Sequence, residues 1–182
     1  MTTTKKQLYP LKLQQILKSR IWGGELFGDS IGESWEVSGF EDESSGIQGG
    51  YLDGNALYDI IETYMGDIVG DDVYKYYGNE FPLLVKTLDI KDKLSVQVHP
   101  DDETAYDRHN SYGKCEAWYI LDASEDSVVY MGLNRDIDPN EFYRRCKEGN
   151  IEEVMNVYHP QKGDFFFIEP GTIHSAGNGL VI

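Results

Sequence analysis

The sequence is poor in cysteine, proline and positive charge. Two cysteines, Cys115 and Cys146, cannot build the disulfide framework of a small secreted domain, nor do they form a CxxC metal pair. Both are expected to be reduced and part of the packing. Only 16 Lys and Arg stand against 32 Asp and Glu, a formal net charge of −16. Such a field repels phosphate backbones and anionic lipid, which argues against nucleic acid and membrane partners. A small anionic substrate is held only where Lys or Arg cluster locally, within a screening length of about 8 Å. No apolar run approaches the roughly 20 residues of a membrane helix. The opening residues 1–7 lead into no apolar signal core, so a cytoplasmic location is expected. Internal repeats and low-complexity linkers are lacking as well.

What is present suits a single globular domain over residues 1–182, since 40% hydrophobic residues with 13% aromatics can furnish a sizeable core. Nineteen glycines fall largely between short stretches rich in Val, Ile, Tyr, Phe and Trp, a pattern of strands and turns. Strands are expected at 34–40, 81–88, 94–99, 115–122, 127–133, 164–169 and 179–182. Helices do not alternate regularly with them, so a mainly β fold is expected and a parallel α/β sheet is disfavoured. Helical excursions are expected near 55–65 and 138–158. In the first, Asn55 is placed to cap and Gly66 to stop a helix carrying Leu57, Ile60, Ile61 and Tyr64 on one face. In the second, Asp138-Pro139-Asn140-Glu141 gives an acidic cap, Pro at N1 and Glu at N3, with Gly149 as the stop. Asn150 repeats that capping logic for a short helix reaching towards Tyr158. The acidic stretch 41–46 reads as a solvated loop.

Three segments carry chemistry. Along 94–99, alternation sends Leu94, Val96 and Val98 one way and Ser95, Gln97 and His99 the other. An amide oxygen and an imidazole nitrogen on one strand face can converge on one point, as chelation requires; the plainer reading is a solvent-facing polar stripe. In 113–120, Glu116 sits among residues that belong in an interior, where an unpaired carboxylate is costly. A metal ion removes that cost, and Lys114 falls on the same strand face; the plainer reading is a surface Lys and Glu at a strand start. In 169–178, a Pro170-Gly171 turn delivers His174 onto the next strand, close to the second sequence motif of cupins but with Pro and Gly adjacent. His109, in a polar stretch, and His159, before Pro160, are weaker candidates. Gln97, His99, Glu116 and His174 together offer two nitrogen and two oxygen donors without a thiolate, a set suited to catalytic Zn²⁺, with Mn²⁺, Co²⁺ or Fe²⁺ open.

The motifs Ser95-x-Gln97-x-His99-Pro100, Lys114-x-Glu116 and Pro170-Gly171-Thr172-Ile173-His174, in that order, resemble type I mannose-6-phosphate isomerase, a zinc-dependent cupin enzyme. Residues 20–24, 32–36 and 81–86 are similar to segments of its short bacterial forms. The resemblance implies a cupin-type jelly-roll barrel with short helical insertions. It implies zinc on Gln97, His99, Glu116 and His174, Lys114 as an acid/base or positioning group, and Glu33, Lys86 and Ser95 lining the substrate pocket, the last two as phosphate contacts. The implied reaction interconverts mannose 6-phosphate and fructose 6-phosphate through a cis-enediolate. Members of the family continue beyond the strand of His174 into a second portion bearing an Arg, so the chain is expected to be the N-terminal part of a longer, two-lobed enzyme. Two rivals stand beside the isomerase: a cupin that binds metal or sugar without turnover, and an Fe²⁺ cupin dioxygenase. Gln97 speaks against the dioxygenase, because the common cupin pattern has a His-x-His pair there.

Overall fold

The computed structural model describes residues 7–182 and divides the chain into two compact units. One takes the chain up to Lys18 with Glu33–Thr87; the other takes Ser19–Gly32 and Leu88–Ile182. The fold is mainly β and of cupin type, with short helices between strands. Among the described residues no helix is long and apolar enough to cross a membrane.

The first part of the chain forms β1 (Lys12–Leu13), β2 (Ile16–Ser19), β3 (Ile31–Val37), β4 (Gly39–Phe40), β5 (Glu43–Ser44) and β6 (Ile47–Gln48). β1 pairs antiparallel with β6, and β4 with β5. The acidic stretch expected as a loop is therefore a hairpin turn and its returning strand. Two fully buried serines make this possible: Ser38 Oγ donates to the Glu43 carbonyl at 2.6 Å, and the Ser38 amide donates to Ser45 Oγ at 3.0 Å. Hydroxyls here stand in for ladder hydrogen bonds, which composition does not reveal.

Three helices follow, α1 (Leu57–Tyr64), α2 (Gly66–Val69) and α3 (Asp71–Tyr77). Leu57, Ile60 and Ile61 of α1 pack with Ile47 and Leu52 as the core of this unit. The expected cap is corrected: Ala56 takes the N-cap position, and Asn55 Nδ2 turns back to the Leu52 carbonyl at 2.8 Å. The Tyr58 amide instead donates to Ser44 Oγ at 2.9 Å, a cap supplied from β5. Met65, at φ 53°, ends α1, and Gly66 begins α2 rather than stopping α1. The strand expected at 81–88 is shifted to β7 (Val85–Ile90); Pro82, without an N–H, is a poor ladder residue.

The second unit contains α4 (Asp102–His109), β8 (Glu116–Tyr119), β9 (Asp122–Ala123), β10 (Val128–Leu133), α5 (Pro139–Glu148), β11 (Met155–Tyr158), β12 (Phe165–Ile168), β13 (His174–Gly177) and β14 (Leu180–Val181). β8 pairs with β12, β13 with β10, β10 with β11, and β14 with both β9 and the end of β7, all antiparallel. Ile90, Ile120, Val129, Ile168, Ala176 and Leu180 fill its core at 1% exposure or less. Each such burial contributes about 1.5–3 kcal/mol, Ala176 less. α5 starts on Asp138, whose Oδ1 accepts from the amides of Asn140 and Glu141, and ends at Gly149 in the left-handed region. Asn150, by contrast, makes no side-chain cap; the segment gives one 3₁₀ turn, Ile151–Val154, and continues as β11. Ile151, Val154 and Met155 are drawn into a small core with Ile173, and that burial overrides the capping pattern.

Two further expectations are corrected. Cys115 and Cys146 are free but exposed, not packed. Residues 94–99 are not a regular strand: isolated bridges pair Lys93 with Gly177 and Gln97 with His174. Between those bridges one side spans one residue more than the other, so the segment carries a bulge against β13. Leu94 therefore joins the core beside Ala176 while Gln97 lies opposite His174, although simple alternation sends Leu94 and Gln97 to opposite faces.

Candidate metal centre

Four segments of the second unit converge on Glu116. β8 presents Glu116 and Trp118 on its inner face, opposite Ile168 and Phe166 of β12, while Ala117 and Tyr119 are exposed. β13 begins at His174, whose side chain is fully buried. The turn before it owes its shape to Gly171, at φ 81°, whose amide donates to the His99 carbonyl at 2.8 Å. The same turn that launches β13 thus ties down the backbone of the other histidine. Gln97 and His174 exchange both backbone hydrogen bonds at 2.9 Å, so their side chains leave the pair on one face.

The three candidate donor atoms of His99, Glu116 and His174 all lie within 4.8 Å of one another. Glu116 Oε2 is 3.4 Å from His99 Nε2 and 3.1 Å from His174 Nε2. Metal bonds of about 2.0–2.2 Å at tetrahedral angles separate neighbouring donors by about 3.3–3.6 Å, close to both distances. Lys114 Nζ donates to Glu116 Oε1 at 2.6 Å and stands 3.2 Å from His99 Nε2.

The donor set fits a cation. His174 Nδ1 faces the Thr172 carbonyl at 2.8 Å, which fixes the proton on Nδ1 and turns the lone pair of Nε2 towards Glu116. Nε2 is buried and has no hydrogen-bond partner, although a carboxylate oxygen lies 3.1 Å away. Two electron-rich atoms at that distance need a positive centre between them, either a second proton on the ring or a metal ion. Burial works to raise the Glu116 carboxyl, but the Lys114 ammonium, bonded to Oε1 at 2.6 Å, works against it and the group lies below the ordinary carboxylate value, so it is ionised at neutral pH. Burial, then the Lys114 charge, lowers His99 below the ordinary histidine value and keeps its nitrogen lone pair available.

A family model described as "Phosphomannose isomerase type I, catalytic domain" matches residues 11–119, which include Gln97, His99, Lys114 and Glu116. The chain belongs to the type I phosphomannose isomerase family. It is 35% identical to a probable mannose-6-phosphate isomerase, GmuF, of Bacillus subtilis over 96% of this chain and 56% of that protein. It is 33% identical to mannose-6-phosphate isomerase ManA of the same organism, over 94% of this chain and again 56% of the relative. The crystal structure of a mannose 6-phosphate isomerase from Bacillus subtilis superposes with a TM-score of 0.82 at 29% identity, covering 94% of this chain and 56% of that one. A putative mannosephosphate isomerase from Archaeoglobus fulgidus shares the fold at a TM-score of 0.81 and 24% identity. The chain spans little more than half the length of the relatives it matches.

Of the residues singled out in this type I chain, His99, Glu116, His174 and Lys114 come together, with Gln97 joined through the backbone of His174. Ser95 is exposed at the bulge. Glu33 and Lys86 form a pair of their own in the first unit, Nζ to Oε2 at 3.7 Å, where Trp35 Nε1 also donates to Glu33 Oε2 at 2.6 Å. His109 and His159 are both exposed, and neither belongs to the donor cluster. Sequence reading passed over the buried indole of Trp118, whose ring meets His174 at 5.5 Å, and the Thr172 carbonyl. The first was legible, since Trp118 lies two residues beyond Glu116 on one strand; a carbonyl has no sequence signal.

Proposed function

We propose that this chain is a metal-dependent aldose–ketose isomerase, or the metal-binding portion of one, interconverting mannose 6-phosphate and fructose 6-phosphate. The observation that carries the reading is the buried, unpartnered His174 Nε2 facing an ionised Glu116, with His99 and Lys114 around the same point. Gln97, His99, Glu116 and His174 are the residues that would hold the ion, and Zn²⁺ suits their mixed nitrogen and oxygen donors. When bound, such an ion supplies Lewis acidity towards the sugar oxygens.

The chain's own groups carry the rest. Isomerisation moves a proton between C2 and C1 of the open-chain sugar through a cis-enediolate, which needs a side chain able to give and take that proton. Lys114 Nζ, part exposed and tied to Glu116, is the candidate. Taking the proton on its free amine, it becomes the ammonium that stabilises the negative oxygen developing at the reacting carbons and then returns the proton to the neighbouring carbon. Glu33, Lys86 and Ser95 are proposed to contact the sugar phosphate, with Lys86 and Ser95 towards the phosphate. The substrate is the only partner proposed, and a reducing, cytoplasmic setting accords with two free cysteines.

A second reading is binding of metal or sugar without turnover, since the donor cluster of His99, Glu116 and His174 accounts for an ion without requiring proton transfer. One assay separates the two. Conversion of mannose 6-phosphate by the metal-loaded chain, abolished by a chelator and restored by Zn²⁺, supports the isomerase. A folded, metal-loaded chain without conversion supports the second reading.

A further inference from the structure

The imidazole of His174 is held at three points. Its Nδ1 is tied to the Thr172 carbonyl at 2.8 Å. One side meets the His99 ring, with centroids 5.0 Å apart and planes at 56°. Against it also stands the indole of Trp118, with centroids 5.5 Å apart and planes at 80°, an edge-to-face contact. Trp118 is itself immobilised, 6% exposed and part of the main core with Leu94, Ile120, Ile168 and Ala176. Being two residues beyond Glu116 on β8, it shares the inner face that presents that carboxylate.

We infer that Trp118 is a positioning residue of the metal centre: its indole fixes the rotation of the His174 ring so that Nε2 points at the ion, and it couples that ring to the strand carrying Glu116. The hydrogen bond to Thr172 alone leaves the imidazole free to swing about the Nδ1 contact, and the His99 ring, itself a donor, is not an independent support. An edge-to-face aromatic contact has a preferred geometry, so it favours one ring orientation over another. The inference rests on the metal-binding reading, and it concerns ion affinity and ring geometry rather than turnover.

The test compares the whole chain with Trp118→Phe, Trp118→Leu and, as a control, Ile120→Ala, which removes volume from the same core one residue beyond β8. Co²⁺ is the probe, followed by its absorption spectrum and by competition with a chelator. Supporting partners of metal ligands, when removed, cost about 10–100-fold in metal affinity. Trp118→Leu is therefore expected to bind Co²⁺ about ten-fold or more weakly with an altered spectrum, Trp118→Phe to come within a few-fold of the parent, and Ile120→Ala to lose thermal stability but not affinity. A second readout needs no metal: in nitrogen correlation spectra of the apo chain the ring resonances of His174 should be single and sharp in the parent and in Trp118→Phe, and broadened by ring motion about the Nδ1 contact in Trp118→Leu. Equal Co²⁺ affinity in Trp118→Leu and the parent, or equal losses in Trp118→Leu and Ile120→Ala, overturns the inference. A parent chain that takes up no Co²⁺ overturns the metal reading, and the breadth of the His174 ring resonances then decides on Trp118 alone.

Discussion

Two carboxylates, buried Glu33 and half-buried Glu116, behave differently. Glu33, in the first unit, is 6% exposed, accepts from Trp35 Nε1 at 2.6 Å and faces Lys86 at 3.7 Å; its needs are met by its own chain. Glu116, in the second, faces two imidazole nitrogens, one of them buried with no hydrogen-bond partner. A buried polar group whose partners come from the protein stabilises an architecture, whereas one set against an unsatisfied donor atom reserves space for something the protein does not encode. On that difference rests the assignment of the metal to Glu116 rather than to Glu33.

The comparison is broken most severely at Glu116 and His174. Glu116→Gln or His174→Ala should weaken Zn²⁺ binding by more than about 100-fold, since losing an outer partner alone costs 10–100-fold; metal content after dialysis against a mild chelator reads this directly. Next, Lys114→Met should retain the metal while any mannose 6-phosphate conversion drops by about 10²–10⁴-fold, the usual share of a general acid or base. Equal loss of metal in Lys114→Met would move Lys114 from proton transfer to ion binding. Glu33→Gln sharpens the contrast from the other side. Metal affinity should be unchanged, and denaturant unfolding should show about 1–3 kcal/mol lost as the buried hydrogen-bond partners are disturbed.

The smallest effect is expected on α5. Arg135 and Arg145 hold the Glu141 carboxyl at about 2 by hydrogen bonds. A carboxylate lowered on folding contributes stability above its unfolded value, and that contribution fades as pH falls towards the folded value. Glu141→Gln should therefore lower the melting temperature slightly at pH 7, with the difference shrinking as pH falls through about 2 and, at pH 7, in high salt.

The site was far more legible than the path of the chain towards it. His99, Glu116 and His174 announce themselves because polar side chains among core residues need a reason to be there, and a strand's two-residue period says where they point. The strand reading at 94–99 misjudged Leu94 because a bulge inserts one residue into the register, and neither Ser95 nor Val96 carries a Gly or Pro to signal it. No apolar periodicity marks α4, because Ala105 is its single buried residue. The Asp101 cap, Oδ1 accepting from the Thr104 amide at 2.8 Å, was the available signal. Around Asn55 and Asn150 the local pattern pointed to caps, but Ser44 and the small core at Ile151 and Met155, distant in sequence, decided the outcome.

The central claim is that one divalent ion sits on the imidazoles of His99 and His174 and the carboxylate of Glu116. X-ray absorption at the zinc edge of the Zn²⁺-loaded chain tests it most directly. The account predicts the multiple-scattering signature of two imidazole rings with first-sphere nitrogen and oxygen at about 2.0–2.2 Å. An all-oxygen sphere without imidazole scattering, unchanged in His174→Ala, would contradict it.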